Sequence, residues 1–216
     1  MKKTADNIHI IGESDGPTSV FIAGKGEKKT LRQKIEKTMY DFRRTRVIKS
    51  LRADPHTVDE VADYLVRELG YTEVNSEDEE YQTEYSNLRA SFLLQYRPEL
   101  LGDLTEPQRP QQWDEKSVME FMKQIEQRTE AARAVPKTEF DIDFHLYRKT
   151  GRDFEMSISI EKTYESFSGS ASGSTRVMHR YGADFRKVYR YYGVSQEDIR
   201  QHTKRFEEVV RQLTVR

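Results

Sequence analysis

Two stretches of the chain alternate strictly between apolar and polar residues, which is the period of a strand with one buried face. They cover residues 140–147 and 154–161, and Thr150-Gly151 lies between them. A short connection that contains glycine is typical of the turn between two antiparallel strands. The pattern therefore predicts a β-hairpin with one buried face and one face in water.

Two further runs near the N-terminus are rich in β-branched residues. Residues 7–11 and 19–23 are predicted strands, and Asp15-Gly16-Pro17 between them provides turn residues. An isolated two-stranded hairpin is only marginally stable in water. We therefore expect the two hairpins to share one antiparallel sheet, with helices on its apolar side.

Apolar residues at helical spacing predict about six helices. Local signals mark several ends, among them a Thr57/Glu60 capping box and Gly193 as a stop. The predicted helices cover residues 28–51, 57–70, 76–96, 114–134, 177–192 and 195–213. Prolines make residues 101–113 an irregular connector, and the Ser/Gly composition of residues 168–174 predicts a flexible loop.

These elements define an α+β fold, in which a small antiparallel sheet from two β-hairpins packs with about six helices. We predict a single domain over residues 1–216. Its sub-regions are residues 7–74 with a hairpin and two helices, residues 75–135 with helices and a Pro-rich connector, and residues 136–216 with a hairpin and two helices.

Composition narrows the class of protein. Of the 216 residues 34% are charged, the formal net charge is -1, and there is no cysteine, so disulfides and thiolate chemistry are excluded. Neither a secretory signal nor an apolar run long enough to span a membrane is present. We expect a soluble cytoplasmic protein that does not insert into a membrane.

The string from Ile10 to Ile22 reads Ile-Ile-Gly-Glu-Ser-Asp-Gly-Pro-Thr-Ser-Val-Phe-Ile. It resembles a segment of the β subunit of sodium-translocating carboxylic acid decarboxylases, where an Ile-Ile-Gly…Asp-Gly-Pro-Thr…Ile-Phe stretch lies inside the membrane. In that family the aspartate belongs to the sodium pathway, so the resemblance implies an ion-binding role for Asp15. It is confined to residues 10–22.

The same residues also suit a hairpin turn. Gly16 can adopt a positive φ, Pro17 fixes its own φ, and Asp15 can accept backbone N–H bonds. We favour this structural interpretation. The alternative is a loop that binds an ion, a small molecule or a partner through Asp15 and Thr18.

The first predicted helix, residues 28–52, is strongly basic. Its cationic residues are Lys28, Lys29, Arg32, Lys34, Lys37, Arg43, Arg44, Arg46, Lys49 and Arg52, against only Glu36 and Asp41. Such a helix could contact phosphates, with Arg43, Arg44 and Arg46 as binding residues. The acidic helix that follows could instead neutralise it within the fold, and we favour charge pairing, either inside the fold or with a protein partner.

The polar face of the later hairpin carries Asp141, Asp143 and His145 at every second position. Carboxylates and an imidazole on one side of a strand suit a divalent metal. The same pattern is also the ordinary wet face of a half-buried sheet, which is the interpretation we favour.

Nucleotide-binding, metalloprotease and serine-hydrolase signatures are absent from the sequence. The sequence favours a non-catalytic binding or accessory protein that acts through protein–protein contacts or self-association and needs no cofactor. The first alternative is a nucleic-acid-associated protein that uses the basic helix. The second is a metal-binding protein or enzyme centred on Asp141, Asp143 and His145.

Overall fold

The later hairpin forms where the alternation predicts, but the predicted face in water is wrong, because Leu146 lies opposite Ser159 and Tyr147 opposite Ile158, and all four side chains are buried. In the computed structural model, which describes residues 30–104, 106–107, 109–112 and 114–215, β2 (Phe144–Gly151) and β3 (Phe154–Glu161) pair antiparallel. Gly151 faces Phe154 at the turn. The predicted N-terminal hairpin and its place in the sheet lie outside the described residues.

Two more strands complete a four-stranded antiparallel sheet. The short β1 (Thr72–Glu73) pairs with β2, and β4 (Ser166–Ser172) pairs with β3, so the order is β1-β2-β3-β4. Every pairing in this sheet is antiparallel. Together with the helices, the sheet confirms the predicted α+β class.

The prediction of a flexible loop at residues 168–174 is wrong, because most of this segment is strand β4. Its backbone follows β3 residue by residue, with Gly169 opposite Ile158. Serine hydroxyls also pair across the two strands, at 2.9 Å between the Oγ atoms of Ser157 and Ser170. Ser/Gly composition does indicate weak local preference, but here pairing with a neighbouring strand decides the structure.

Seven α-helices are present among the described residues. They are α1 (Leu31–Ser50), α2 (Val58–Arg67), α3 (Glu79–Tyr96), α4 (Glu115–Ala134), α5 (Thr175–Tyr192), α6 (Gln196–Gln201) and α7 (Lys204–Thr214). A 3-10 turn, Pro98–Leu101, follows α3. The predicted capping box is present, since the Thr57 side chain accepts from the Glu60 N–H and the Glu60 carboxylate accepts from the Thr57 N–H.

Two predicted boundaries differ from the structure. The predicted strand 140–147 begins only at Phe144, although Phe140 and Ile142 before it are buried as the alternation requires. The predicted helix 195–213 is broken at His202, whose φ of 51° lies in the left-handed region. A left-handed residue ends α6, and the Thr203 side chain then caps α7 by accepting the Phe206 N–H.

The described chain forms two compact units. One comprises residues 75–143, and the other, which we call the sheet unit, comprises residues 30–74 together with 144–215. The main core belongs to the sheet unit. Its side chains come from α2, from the inner face of the sheet, and from α5 and α7, and include Leu65, Ile158, Val188, Tyr189 and Phe206.

The unit of residues 75–143, which we call the helical unit, is organised around a buried arginine. Arg89 of α3 is only 4% exposed. Its Nε donates to the Phe140 carbonyl at 2.8 Å and its Nη2 donates to the Val135 carbonyl at 2.5 Å. The segment after α4 lies outside the helices and strands, so its carbonyls have no partner in regular secondary structure. The guanidinium of Arg89 supplies hydrogen bonds to two of them.

Candidate functional site

Helix α1 begins at a complete capping box. The Thr30 hydroxyl accepts from the Gln33 N–H at 3.3 Å, and the Thr30 N–H donates to the Gln33 side chain at 2.9 Å. These bonds satisfy two groups that a helix start otherwise leaves without partners. The helix is therefore fixed from its first turn, although no residue of α1 is fully buried.

Only the C-terminal part of α1 packs against the core. Val47, Ile48 and the following Leu51 are half-buried against the main cluster of the sheet unit. Successive residues turn by about 100° around a helix axis, so these three side chains share one side. That side of α1 faces α7, and it leaves the opposite side without a covering element among the described residues.

Four large apolar side chains lie on that opposite side. They are Leu31, Ile35, Met39 and Phe42, which are 76%, 52%, 50% and 69% exposed. They fall within an arc of about 80° and form one continuous row along the helix. We call this row the α1 stripe. Single exposed apolar residues are ordinary, but an exposed row of four on one helix face is typical of a contact surface.

Basic side chains lie around the α1 stripe, but not all of them are free to contact a ligand, because one forms an ion pair within the sheet unit. Arg46 lies in line with the stripe and Arg43 lies beside it. Arg44 points to the packed side, where its Nη2 donates to the Glu207 carboxylate at 2.7 Å. The three predicted binding arginines are therefore divided: two lie near the stripe and one joins α1 to α7.

Sequence reasoning found the charge of this helix and missed its exposed apolar row. The signal was present in the chain, because Leu31, Ile35, Met39 and Phe42 occupy the side opposite Val47, Ile48 and Leu51. A helix on the surface of a domain packs against the core with one side only, so its opposite side stays exposed unless another element covers it. Two apolar rows on opposite sides of one basic helix therefore indicate that one row is exposed.

The three predicted metal ligands are not assembled into a metal centre. No group of three or more His, Asp or Glu side chains in the described part of the chain is arranged to hold a metal ion. Asp141 accepts a bond from the Tyr85 hydroxyl at 2.5 Å. His145 pairs with Glu73 of β1 at 2.7 Å, and Asp143 lies just before strand β2.

The environment of Asp141 is that of a structural carboxylate. Burial by itself would raise the pKa of Asp141. Hydrogen bonds from the Tyr85 hydroxyl and the Ile142 N–H, together with the charges of Lys137 and Arg89, outweigh that effect and lower the pKa below its usual value. A carboxylate held ionised by these donors serves as an acceptor that fixes the chain before β2.

A second polar cluster is buried between the sheet and α5. The Lys149 ammonium donates to the Leu69 carbonyl at 2.5 Å and lies 3.5 Å from Asp184, which is 4% exposed. Lys187 pairs with the same carboxylate at 3.0 Å. Burial and the charge of Asp184 raise the pKa of the adjacent Tyr71 hydroxyl far above its usual range. The cluster links β2 to α5. The Tyr71 hydroxyl beside it stays protonated and neutral.

The remaining predicted binding residues, Asp15 and Thr18, lie outside the described residues, and so does the decarboxylase-like segment. Among the helices that the structure describes, none is both long and apolar enough to cross a membrane. No protein-family model matches the chain, and comparisons with curated proteins and with solved structures find no match.

Proposed function

We propose that this protein is a non-catalytic binding or accessory protein that acts through protein–protein contacts, with the α1 stripe as its contact surface. The observation that carries the proposal is the exposure of Leu31, Ile35, Met39 and Phe42 on one side of a helix anchored on its other side. Burying a row of this kind in a partner's groove is a recurring mode of peptide and protein recognition.

The charges around the stripe favour an acidic partner surface. Arg43, Arg46 and Lys49 accompany the apolar row, and the helix has no acidic residue in its first turn. A partner groove with an apolar floor and a carboxylate rim would match both features. The capping box supports the same use, because a helix that is already ordered loses less entropy on binding.

The test is site-specific photocrosslinking in the native cell. The crosslinker p-benzoylphenylalanine replaces Phe42 of the stripe or, in the matched control, Tyr40 on the other side of α1, which is 37% exposed. We expect discrete protein adducts from position 42 and none from position 40. Ile35→Glu should abolish the adduct at position 42, because it places a carboxylate in the apolar row.

The melting temperature separates lost binding from lost folding. Ile35 is 52% exposed, so Ile35→Glu should melt like the unmodified protein. An adduct of twice the chain mass would identify the partner as a second copy. Equal adducts from both positions, or adducts to lipid or nucleic acid alone, would contradict the proposal.

A further inference from the structure

Helix α5 carries an exposed face that is lined mainly by basic side chains. Its exposed or half-exposed side is lined by Arg176, His179, Arg180, Arg186, Lys187 and Arg190. Asp184 is the only acidic residue of the helix, and it is buried on another side. From Arg176 to Arg190 the row extends over about 21 Å, at about 1.5 Å per residue. We call it the α5 basic face.

The arginines of this face lack the carboxylate partners that some other surface arginines of the sheet unit have. Arg67 pairs with Asp63, and Arg200 pairs with Glu197. Within the part of the chain that the structure describes, Arg176, Arg186 and Arg190 form no ion pair. Four guanidinium groups thus share one helix face, and Asp184, the one carboxylate of the helix, is buried and pairs with Lys187 at 3.0 Å.

The arrangement opposes the stability of the helix itself. Arg176 lies in the first turn, which holds no acidic residue, although the helix dipole disfavours a cation there. Arg176 and Arg180 repel each other at a spacing of four residues, as do Arg186 and Arg190. Side chains selected for stability alone would alternate in sign, so the positive face indicates a ligand that supplies the negative charge.

The net charge of the sheet unit agrees with such a ligand. Its described residues include 22 Lys and Arg against 17 Asp and Glu, a formal charge of +5. The helical unit has 8 against 16, a formal charge of -8. The full chain has a formal charge of -1, but the sheet unit by itself is positive. The electrostatic field of the sheet unit would attract a polyanion.

We infer that the α5 basic face binds the phosphate backbone of a nucleic acid. A membrane surface fits less well, because the residue between the two rows of cations is Ala183 and no large apolar side chain of this face could insert into lipid. Guanidinium groups bind phosphate oxygens in a bidentate manner. Contacts to phosphate carry no sequence information, so binding through them should depend on charge and spacing rather than on sequence.

Fluorescence anisotropy of the full chain with a labelled single-stranded RNA and a labelled DNA duplex tests the inference. About four phosphate contacts predict a roughly hundredfold loss of affinity between about 50 and about 200 mM KCl. Arg186→Ala with Arg190→Ala should weaken binding about tenfold or more and reduce the salt slope by about 2. Arg186→Lys with Arg190→Lys should keep most of the slope.

Two controls make the outcome decisive. Arg67→Ala with Arg200→Ala removes two exposed arginines that have carboxylate partners, and should leave binding unchanged. The melting temperature of the Arg186→Ala, Arg190→Ala variant should stay the same or rise, because a repulsion is removed. The inference is overturned if both double variants bind alike, if Arg43→Ala with Arg46→Ala alone abolishes binding, or if only vesicles with phosphatidylserine bind.

Discussion

Single side chains connect parts of the backbone that the regular elements leave unpaired. Arg205 of α7 donates to the carbonyls of His56, Tyr192 and Gly193, at 2.8, 2.5 and 3.0 Å, and its guanidinium lies 3.7 Å from the centre of the Tyr192 ring. Arg89 does the same for two carbonyls of the helical unit. In both cases the N–H groups of one planar guanidinium donate to backbone carbonyls that are distant from the arginine in sequence.

At the same scale, the Tyr85–Asp141 bond should make stability depend on pH. Tyr85→Phe removes the donor, and because Asp141 is exposed we expect a loss of about 1 kcal/mol in the free energy of unfolding near neutral pH. The pKa of Asp141 is lowered in the folded state, so its contribution is present above the usual value of 3.8 and is lost as pH falls through the folded value.

Urea unfolding at neutral pH and at a pH below the folded pKa of Asp141 measures this effect. The difference between the unmodified protein and Tyr85→Phe should shrink at the lower pH. Tyr40→Phe, at a partly exposed hydroxyl with no partner among the described residues, should have no effect at either pH. A difference that is equal at both values would show that the Asp141 charge does not strengthen the bond.

At the scale of elements, predictability follows the range of the interactions. The Thr57/Glu60 box and the stop at Gly193, with its φ of 61°, were predicted because each depends on neighbouring residues. The later hairpin was predicted because the alternation of apolar and polar residues can be recognised within a short stretch of sequence. Strand β4 was not, since its place depends on pairing with β3, and the α1 stripe was missed because exposure depends on what packs nearby.

Strand β4 holds one position where only glycine fits. A Cβ at Gly169 would lie 2.3 Å from the Ser157 carbonyl oxygen and 2.8 Å from the Tyr181 hydroxyl. The first of these atoms is backbone in the paired strand, so it cannot move without disturbing the ladder. Gly169→Ala should therefore separate β4 from β3 and lower the free energy of unfolding by about 1–3 kcal/mol.

Ser172→Ala is the matched control, because Ser172 is exposed at the end of the same strand. It should change the urea midpoint very little. Amide exchange gives a second readout, since the protection of β4 should fall in Gly169→Ala and persist in Ser172→Ala. Equal midpoints for the two variants would contradict the close approach at Gly169.

At the scale of the whole molecule, the chain leaves the sheet unit after β1 and returns to it at β2. The two ends of the helical unit are held close together, because Thr72 pairs with Arg148 and the Val74 N–H donates to the Leu146 carbonyl at 2.8 Å. An inserted segment with ends fixed in one ladder has two covalent connections rather than a single linker. This connectivity favours concerted unfolding over independent domains.

We therefore predict that the whole chain unfolds as one cooperative unit. Within the sheet unit, β3 carries buried side chains on both of its faces, with Ile158 and Ile160 on one side and Ser157 and Ser159 on the other. Native-state hydrogen exchange in low urea measures the opening free energy of each amide. The slowest amides of α3 and α4 should open with the same free energy as those of β2 and β3. A value for α3 and α4 lower by about 2 kcal/mol or more would show that residues 75–143 unfold on their own.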